Sequence, residues 1–255
     1  MPESAEVVYF RVLGPLEVVA GGRTLTLGGP RQRALLAALL LHANEVVSSE
    51  RLIELVWGGA PPETVTTALH GYVSGLRKLL EPGRAADAPP EVLLTRAPGY
   101  LLRVEDDDVD LHRFERLARE ARDALARGEA EPALVLLEDA LALWRGMPLD
   151  DLPPGPFAEA ERQRLEELRL AAVEDRIDAE LALGRHAHVV GEITALVARH
   201  ELRERLRAQL MLALYRSGRQ AEALAAYQEA RRTLLDELGL EPTSELQRLE
   251  RGILN

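Results

Sequence analysis

Residues 67–83 read TALHGYVSGLRKLLEPG, and the pattern of this stretch decides how the N-terminal part of the chain is interpreted. Apolar residues recur at steps of three and four, as on one face of an α-helix, at Val65, Leu69, Val73, Leu76 and Leu80. The opposite face carries Thr67, His70, Ser74, Arg77 and Lys78. Pro82-Gly83 is a helix-ending pair, so the spacing predicts an amphipathic helix up to Leu80. Its polar face is either solvated or contacts another molecule.

The residues around this helix predict a winged helix-turn-helix. Strand-like runs at Val7–Val12, Leu16–Ala20 and Arg23–Leu27 are followed by a helix at Arg31–His42 that begins after Pro30. Ser48 or Ser49 is suited to cap a helix at Glu50–Trp57, and Thr64 is suited to cap the next one. Runs at Val92–Arg96 and Tyr100–Val104, joined at Ala97-Pro98-Gly99, predict a hairpin.

The remainder of the chain is predicted to be helical throughout. The expected helices are Leu111–Arg127, Glu131–Trp144, Phe157–Leu183, His186–His200, Glu204–Ser217, Gln220–Leu238 and Ser244–Ile253. GRHA at Gly184 and GRQA at Gly218 are 34 residues apart, which is the tetratricopeptide period. The fold class is therefore mainly α with small β sheets: an N-terminal winged helix-turn-helix and an all-α tetratricopeptide-like array. A generic helical bundle is the alternative for the second part.

The charge distribution suggests where the two domains meet. Residues 1–104 carry ten basic and ten acidic side chains, whereas Glu105–Asp108 is an acidic block and the following part is acidic overall. We expect a winged-helix domain at 1–104, an acidic linker at 105–109 and a helical domain at 110–255. The formal net charge of −11 therefore belongs mainly to the second part and does not exclude a polyanionic partner of the first.

Composition and motifs argue against several classes of protein. The chain has no Cys, which excludes disulfides and thiolate chemistry and fits a cytoplasmic protein. Its longest apolar run, Ala34–Leu41, is too short to cross a bilayer, and no secretory signal is visible. Phosphate-binding and nucleophile motifs are absent, and His186 and His188 are two residues apart, on different helix faces. We expect no enzyme activity, no cofactor and no metal site.

The position of the amphipathic helix in the chain favours DNA as the molecule that its polar face contacts. The helix follows Glu50–Trp57 after a short Gly/Pro loop, which is the place of a recognition helix that enters the major groove. Arg and Lys can contact guanine or phosphate, and Thr, Ser and His can donate to either. Arg96, at the hairpin tip, can reach an adjacent minor groove. Because the positive patch is thin, we expect binding as a dimer or in tandem on repeated sites.

Five motifs together resemble the Streptomyces antibiotic regulatory protein family. They are VLGPLEV from Val12, GGPRQRALLAALLLHANEVVSSERLIELVWG from Gly28, PPETVTTALHGYVSGLRKLLEPG from Pro61, LLTRAPGYLL from Leu93 and VDLHRFERLAREAR from Val109. The resemblance implies an OmpR-type winged helix joined to a bacterial transcriptional activator domain. It also implies double-stranded DNA with direct repeats near the −35 region as a target, and recruitment of RNA polymerase through its sigma factor and other subunits. The regulated genes would be those of antibiotic or other secondary-metabolite biosynthesis.

Carried over by position, the resemblance and the helix pattern give a set of candidate DNA-contacting residues. They are Thr64, Thr66, Thr67, His70, Ser74, Arg77, Lys78, Arg96, Arg31 and Arg33. The loop expected to face polymerase comprises Gly58, Gly59, Ala60, Pro61, Pro62 and Glu63. Gly75 stands where relatives often carry a basic residue, and we expect it to leave a gap in the polar face.

Two other functions remain open at this point. The chain could be a helical protein-interaction scaffold whose winged helix contacts only other proteins. It could also be the N-terminal part of a larger regulator that is coupled to an ATPase module.

Overall fold

The structure, a computed structural model, describes residues 8–59, 61–85 and 87–255. Contacts divide the chain into two compact units. The winged-helix unit contains the residues up to Leu117 together with Asp139–Arg169, and the helical unit contains Ala118–Glu138 and Leu170–Asn255. The domains predicted at 1–104 and 110–255, with a linker at 105–109, follow the character of the sequence and remain a prediction.

The winged-helix unit begins with a small antiparallel sheet. Its strands are β1 (Val8–Arg11), β2 (Glu17–Ala20) and β3 (Arg23–Thr24), in that spatial order. Phe10 lies opposite Val18, and both side chains are buried on one face of the sheet. The three predicted strands are therefore confirmed with shorter ends, and Val7 lies outside the described residues.

Three helices follow, and they form the centre of this unit. They are α1 (Pro30–Leu41), α2 (Ser49–Trp57) and α3 (Val65–Leu80). The side chain of Ser48 caps α2 by accepting a hydrogen bond from the Arg51 amide at 3.1 Å. Thr64 makes no such bond, so its predicted capping role is wrong. Its ψ of 14° keeps it out of the extended conformation from which a capping side chain reaches the helix.

A second sheet completes the winged helix. Its strands are β4 (Val46–Ser48), β5 (Leu93–Arg96) and β6 (Gly99–Leu102), in the order β4-β6-β5. The predicted hairpin is confirmed, but the sequence prediction missed β4. Asn44 extends this pairing, because its side chain donates to the Val104 carbonyl at 2.9 Å and accepts from the Val104 amide at 3.1 Å.

Residues from beyond the acidic block also belong to the winged-helix unit. The carboxylate of Asp110 accepts hydrogen bonds from the amides of Val12 at 2.8 Å and Leu13 at 3.1 Å. Asp151 accepts from the Leu16 amide at 2.7 Å, and the Arg145 amide donates to the Leu13 carbonyl at 2.8 Å. These bonds satisfy backbone groups on either side of the turn that follows β1.

The remaining helices match the sequence prediction to within two residues at each end. They are α4 (Asp110–Ala126), α5 (Ala130–Ala142), α6 (Pro156–Ala182), α7 (His186–Arg199), α8 (Glu204–Arg216), α9 (Gln220–Leu238) and α10 (Ser244–Leu254). Gly184 and Gly218, which carry the predicted 34-residue repeat, have φ values of 78° and 77°. Both therefore end a helix in the left-handed conformation that glycine adopts readily, and each precedes a new helix pair.

The helical unit combines an apolar core with a buried ionic cluster. Ile177, Met211 and Tyr227 are among the buried residues of the core. Glu174 of α6 is 1% exposed and accepts two hydrogen bonds from Arg203, at 2.9 and 3.1 Å. Arg205 donates to Asp175 at 2.5 Å. Among the described residues, no helix is long and apolar enough to cross a membrane.

Candidate nucleic-acid interface

The geometry of α2 and α3 is that of a helix-turn-helix. Gly58, with φ of 65°, ends α2, and its amide donates to the Glu54 carbonyl at 2.8 Å. The helix α3 begins seven residues later, after a turn in which the Val65 amide donates to the Pro62 carbonyl at 3.0 Å. Trp57 stacks on Tyr72 with ring centroids 5.8 Å apart, which fixes the end of α2 against the middle of α3.

The two faces of α3 are divided as the sequence predicts. Leu69, Val73, Leu76 and Leu80 are buried. The other side exposes Thr66, Thr67, His70, Gly71, Ser74 and Lys78, and Thr64 is exposed just before the helix. The amphipathic pattern is therefore confirmed, while the DNA contacts assigned to these residues remain predictions.

Arg77 is placed differently from the rest of the predicted polar face. Its side chain is half-buried: Nε donates to the Leu93 carbonyl and Nη2 to the Thr95 hydroxyl, both at 2.8 Å. The guanidinium lies 6.0 Å from the centre of the Tyr100 ring. Burial lowers the pKa of Arg77 from its usual value. The side chain therefore points from α3 towards β5 and β6.

The expected gap at Gly75 is wrong, because this glycine does not lie on the exposed face. A Cβ atom built at Gly75 would be 2.9 Å from Nε2 of Gln32. The absence of a side chain at Gly75 therefore allows the Gln32 side chain of α1 to approach α3 closely. The open position is Gly71, where a built Cβ atom would have no neighbour within 4 Å. The two glycines are one helical turn apart but face different surroundings.

The wing of the unit is the hairpin formed by β5 and β6. Arg96 is exposed at the end of β5 and pairs with Gly99 across the hairpin. The base of the wing is attached to α3 by Glu81, whose Oε1 accepts from the amides of Glu91 at 2.7 Å and Val92 at 3.3 Å. The wing and α3 are thus joined at two levels, through Arg77 and through Glu81.

The two predicted arginines of α1 are in different environments. Arg31 is exposed, with its guanidinium 5.8 Å from the centre of the Trp57 ring. Arg33 is half-buried and donates to the Gly28 carbonyl at 3.3 Å and to the carboxylate of Asp151. Because a carboxylate already compensates its charge, Arg33 is less suited to a phosphate contact than Arg31.

The loop predicted to face polymerase is largely exposed. Gly59, Pro61, Pro62 and Glu63 are exposed and Gly58 is half-buried, whereas Ala60 lies outside the described residues. Helices α2 and α3 fix the two ends of this loop. Its described residues are therefore accessible to a partner, and the polymerase contact assigned to them remains a prediction.

Lys78 and Arg96 form no ion pair with a carboxylate within residues 8–59, 61–85 and 87–255. We call the exposed side of α3 and the tip of the wing the α3–wing surface, made of Thr66, Thr67, His70, Ser74, Lys78 and Arg96. The described part of the chain contains no cluster of His, Cys, Asp or Glu that could hold a metal ion.

Sequence reasoning missed the residues that join the elements of this site. Thr95 and Glu81 carry the contacts between α3 and the wing, and Gln32 packs against Gly75. The polar side chain of Thr95 beside Arg96 was only a weak signal, because threonine is common in β-strands whether or not its hydroxyl makes a contact. Asp151 is 118 residues from Arg33, and no local pattern connects them.

Comparisons with known proteins agree with this architecture. Residues 22–102 match the family model described as "Transcriptional regulatory protein, C terminal", and residues 109–254 match "Bacterial transcriptional activator domain". Regulatory protein AfsR of Streptomyces coelicolor is 47% identical across 99% of this chain. Regulatory protein DnrI of Streptomyces peucetius is 41% identical across 97% of it.

The lengths of these relatives differ. This chain spans 25% of the length of AfsR but 92% of that of DnrI. A solved structure, described as Mycobacterium tuberculosis EmbR in complex with a low-affinity phosphopeptide, matches with a TM-score of 0.91 and 39% identity. The match covers 98% of this chain and 65% of EmbR.

The family models cover both predicted domains, and the solved relative shares the fold of nearly the whole chain. The chain therefore belongs to the Streptomyces antibiotic regulatory protein family, transcriptional regulators that join an OmpR-type winged helix to a bacterial transcriptional activator domain.

Proposed function

We propose that this chain is a sequence-specific DNA-binding transcriptional activator that acts through the α3–wing surface. The observation that carries the proposal is the exposure of Lys78 on α3 and of Arg96 on the wing, in a unit whose α3 also exposes hydroxyl and imidazole groups. Thr66, Thr67, His70 and Ser74 would contact base edges or phosphates in the major groove. Arg96 would enter the neighbouring minor groove.

The small number of cations on this surface supports binding by more than one copy. Each phosphate contact changes the slope of log affinity against log salt by about 0.9, so Lys78 and Arg96 alone would give a modest dependence. Two copies on adjacent direct repeats would add their contacts and bind more tightly than either copy alone. We therefore propose direct repeats near the −35 region of a promoter as the target, with antibiotic or secondary-metabolite genes under control.

Footprinting on the promoters of the neighbouring gene cluster, with and without RNA polymerase, tests this proposal. The expected result is protection of two regularly spaced sites near the −35 region, with stronger protection when polymerase is present. A wild-type chain that protects no site and shows no salt-dependent affinity for these promoters would instead support the protein-interaction scaffold.

Recruitment of polymerase is assigned to the exposed loop between α2 and α3. Like-charge contacts at an interface are costly, so Glu63→Lys is expected to lower transcription activation about tenfold if the loop meets a basic surface of sigma factor or another subunit. Activation is compared at protein concentrations that saturate the promoter, so that a change in DNA affinity caused by the added positive charge does not affect the result. Glu45→Lys makes the same change at another exposed site of this unit and serves as the matched control. Equal activation by the two variants, measured by in vitro transcription, would remove this loop from the proposal.

A further inference from the structure

Within the proposed DNA-binding function, the link between α3 and the wing suggests a role for Arg77 other than reading bases. A bidentate contact with guanine O6 and N7 needs two N–H donors of one guanidinium. The Nε–Nη2 edge of Arg77 is already bonded to the Leu93 carbonyl and the Thr95 hydroxyl, both at 2.8 Å. Contact through this edge would require both bonds to break.

One of the two acceptors of Arg77, Thr95, lies directly beside Arg96, the exposed cation of the wing. Thr95 precedes Arg96 on β5, and across the hairpin Thr95 pairs with Tyr100 and Arg96 pairs with Gly99. The guanidinium also lies over the Tyr100 ring of β6, so it contacts both strands of the wing. A shift of Thr95 relative to α3 would therefore move Arg96 as well.

The second attachment, at Glu81, is farther from the tip of the wing. Glu81 bonds the amides of Glu91 and Val92, which precede β5, whereas Thr95 is next to the last residue of that strand. Glu81 thus fixes the base of the hairpin to α3. Arg77 is the link from α3 that lies nearer the tip, which is also bonded on its other side through the Ser49 amide and the Pro98 carbonyl at 3.2 Å. We propose that Arg77 is a positioning residue that holds the wing at a set distance from α3, so that Arg96 and the exposed face of α3 contact DNA together.

The Thr95 hydroxyl allows a matched pair of variants. Thr95→Val keeps the shape of the side chain but removes the acceptor, whereas Thr95→Ser keeps the acceptor. A hydrogen bond to a charged group is among the stronger ones, so we expect Thr95→Val to weaken promoter binding about tenfold and Thr95→Ser to stay within about twofold. Melting temperatures of both variants check that the winged-helix unit remains folded.

The decisive measurement is whether Thr95 and Arg96 depend on each other. If Arg77 acts by placing Arg96, Arg96→Ala should weaken binding about tenfold in the wild-type background and only about twofold in the Thr95→Val background. Equal losses in the two backgrounds, or equal binding by Thr95→Val and Thr95→Ser, would overturn the proposal.

Arg77→Lys gives a second test should the Thr95 variants be poorly folded. Lysine keeps the positive charge but lacks the planar guanidinium. A direct phosphate contact would therefore survive, whereas the two hydrogen bonds to the wing would not. We expect about tenfold weaker binding by a unit that is still folded, although it melts at a lower temperature because two hydrogen bonds are lost. Full affinity of this variant would contradict the positioning role. Failure of wild-type protein to bind promoter DNA would count against the proposed function itself and is seen before any variant is compared.

Discussion

The positive side chains of the helical unit and those of the α3–wing surface have opposite environments. In the helical unit Arg203 and Arg205 bond to buried carboxylates, and exposed arginines such as Arg231 pair with neighbours such as Glu241 at 2.6 Å. On the α3–wing surface, Lys78 and Arg96 have no carboxylate partner within the described part of the chain. A cation compensated inside the protein stabilises the fold, whereas an uncompensated one on a neutral, polar face remains available to a polyanion. This difference matters more than the net charge of the whole chain.

The largest expected effect lies in the buried ionic cluster. Glu174→Ala removes a buried carboxylate that accepts two bonds from Arg203 and a third, at 3.5 Å, from Arg205. Breaking a buried ion pair costs about 3 kcal/mol, so the free energy of unfolding should fall by roughly that amount. Urea denaturation of the two proteins measures it. An unchanged free energy of unfolding would mean that the paired arginines of this cluster do not stabilise the fold.

A smaller effect is expected on the α3–wing surface, and it should appear in binding instead of stability. Lys78→Ala and Arg96→Ala should each weaken promoter binding by about 1.4 kcal/mol, or tenfold, and lower the salt slope by about 0.9. Arg231→Ala, which removes a cation that is already paired, is the matched control and should change neither quantity. Titrations at several salt concentrations measure all three. If Arg231→Ala weakened promoter binding as much as Lys78→Ala, the presence of a carboxylate partner would not decide which cations contact DNA.

The smallest effect concerns a buried acid that has more amide than cationic partners. Burial raises the pKa of Asp110 to about 6, against the hydrogen bonds from Val12 and Leu13 and the charge of Arg145. A carboxyl whose folded pKa lies above its unfolded value contributes stability that is fully present below about pH 4 and is lost as the pH rises through about 6. Between pH 5 and 7.5, wild type should therefore lose about 1 kcal/mol of unfolding free energy that Asp110→Asn does not lose.

Urea denaturation of wild type and Asp110→Asn at both pH values tests this prediction. The quantity to compare is the difference in unfolding free energy between the two proteins, because the other carboxyl groups titrate in both. If that difference were the same at pH 5 and 7.5, Asp110 would be ionised in the folded protein over the whole interval. Its amide partners would then be enough to offset the cost of its burial.

Local patterns were sufficient for the helices and for the division of α3 into two faces, because apolar spacing reports directly on burial. Local patterns did not predict the surroundings of a long side chain or of a glycine that contacts residues distant in sequence. Arg77 has the position of a polar-face residue, yet its guanidinium reaches back to β5. Gly75 and Gly71 are indistinguishable by spacing, and only the neighbouring Gln32 shows which one is open.

Short elements and capping residues were also hard to predict. The strand β4 has three residues, too few for an alternating pattern, and it is recognised only by its pairing with β6. Ser48 and Thr64 are both good capping residues by type, but only Ser48 has the extended backbone that allows the bond. Conformation at a single ψ angle decided between them, and the sequence does not show it.

The contacts of Asp110 and Asp151 bear on how the DNA-binding part of this chain can be isolated. A fragment that ends at Val104 would lose the acceptors of the Val12, Leu13 and Leu16 amides and the carboxylate partner of Arg33. Replacing Asp110 or Asp151 would therefore also remove hydrogen bonds that the winged-helix unit uses. A fragment that keeps these bonds must reach Asp151, and the compact unit to which both aspartates belong extends to Arg169.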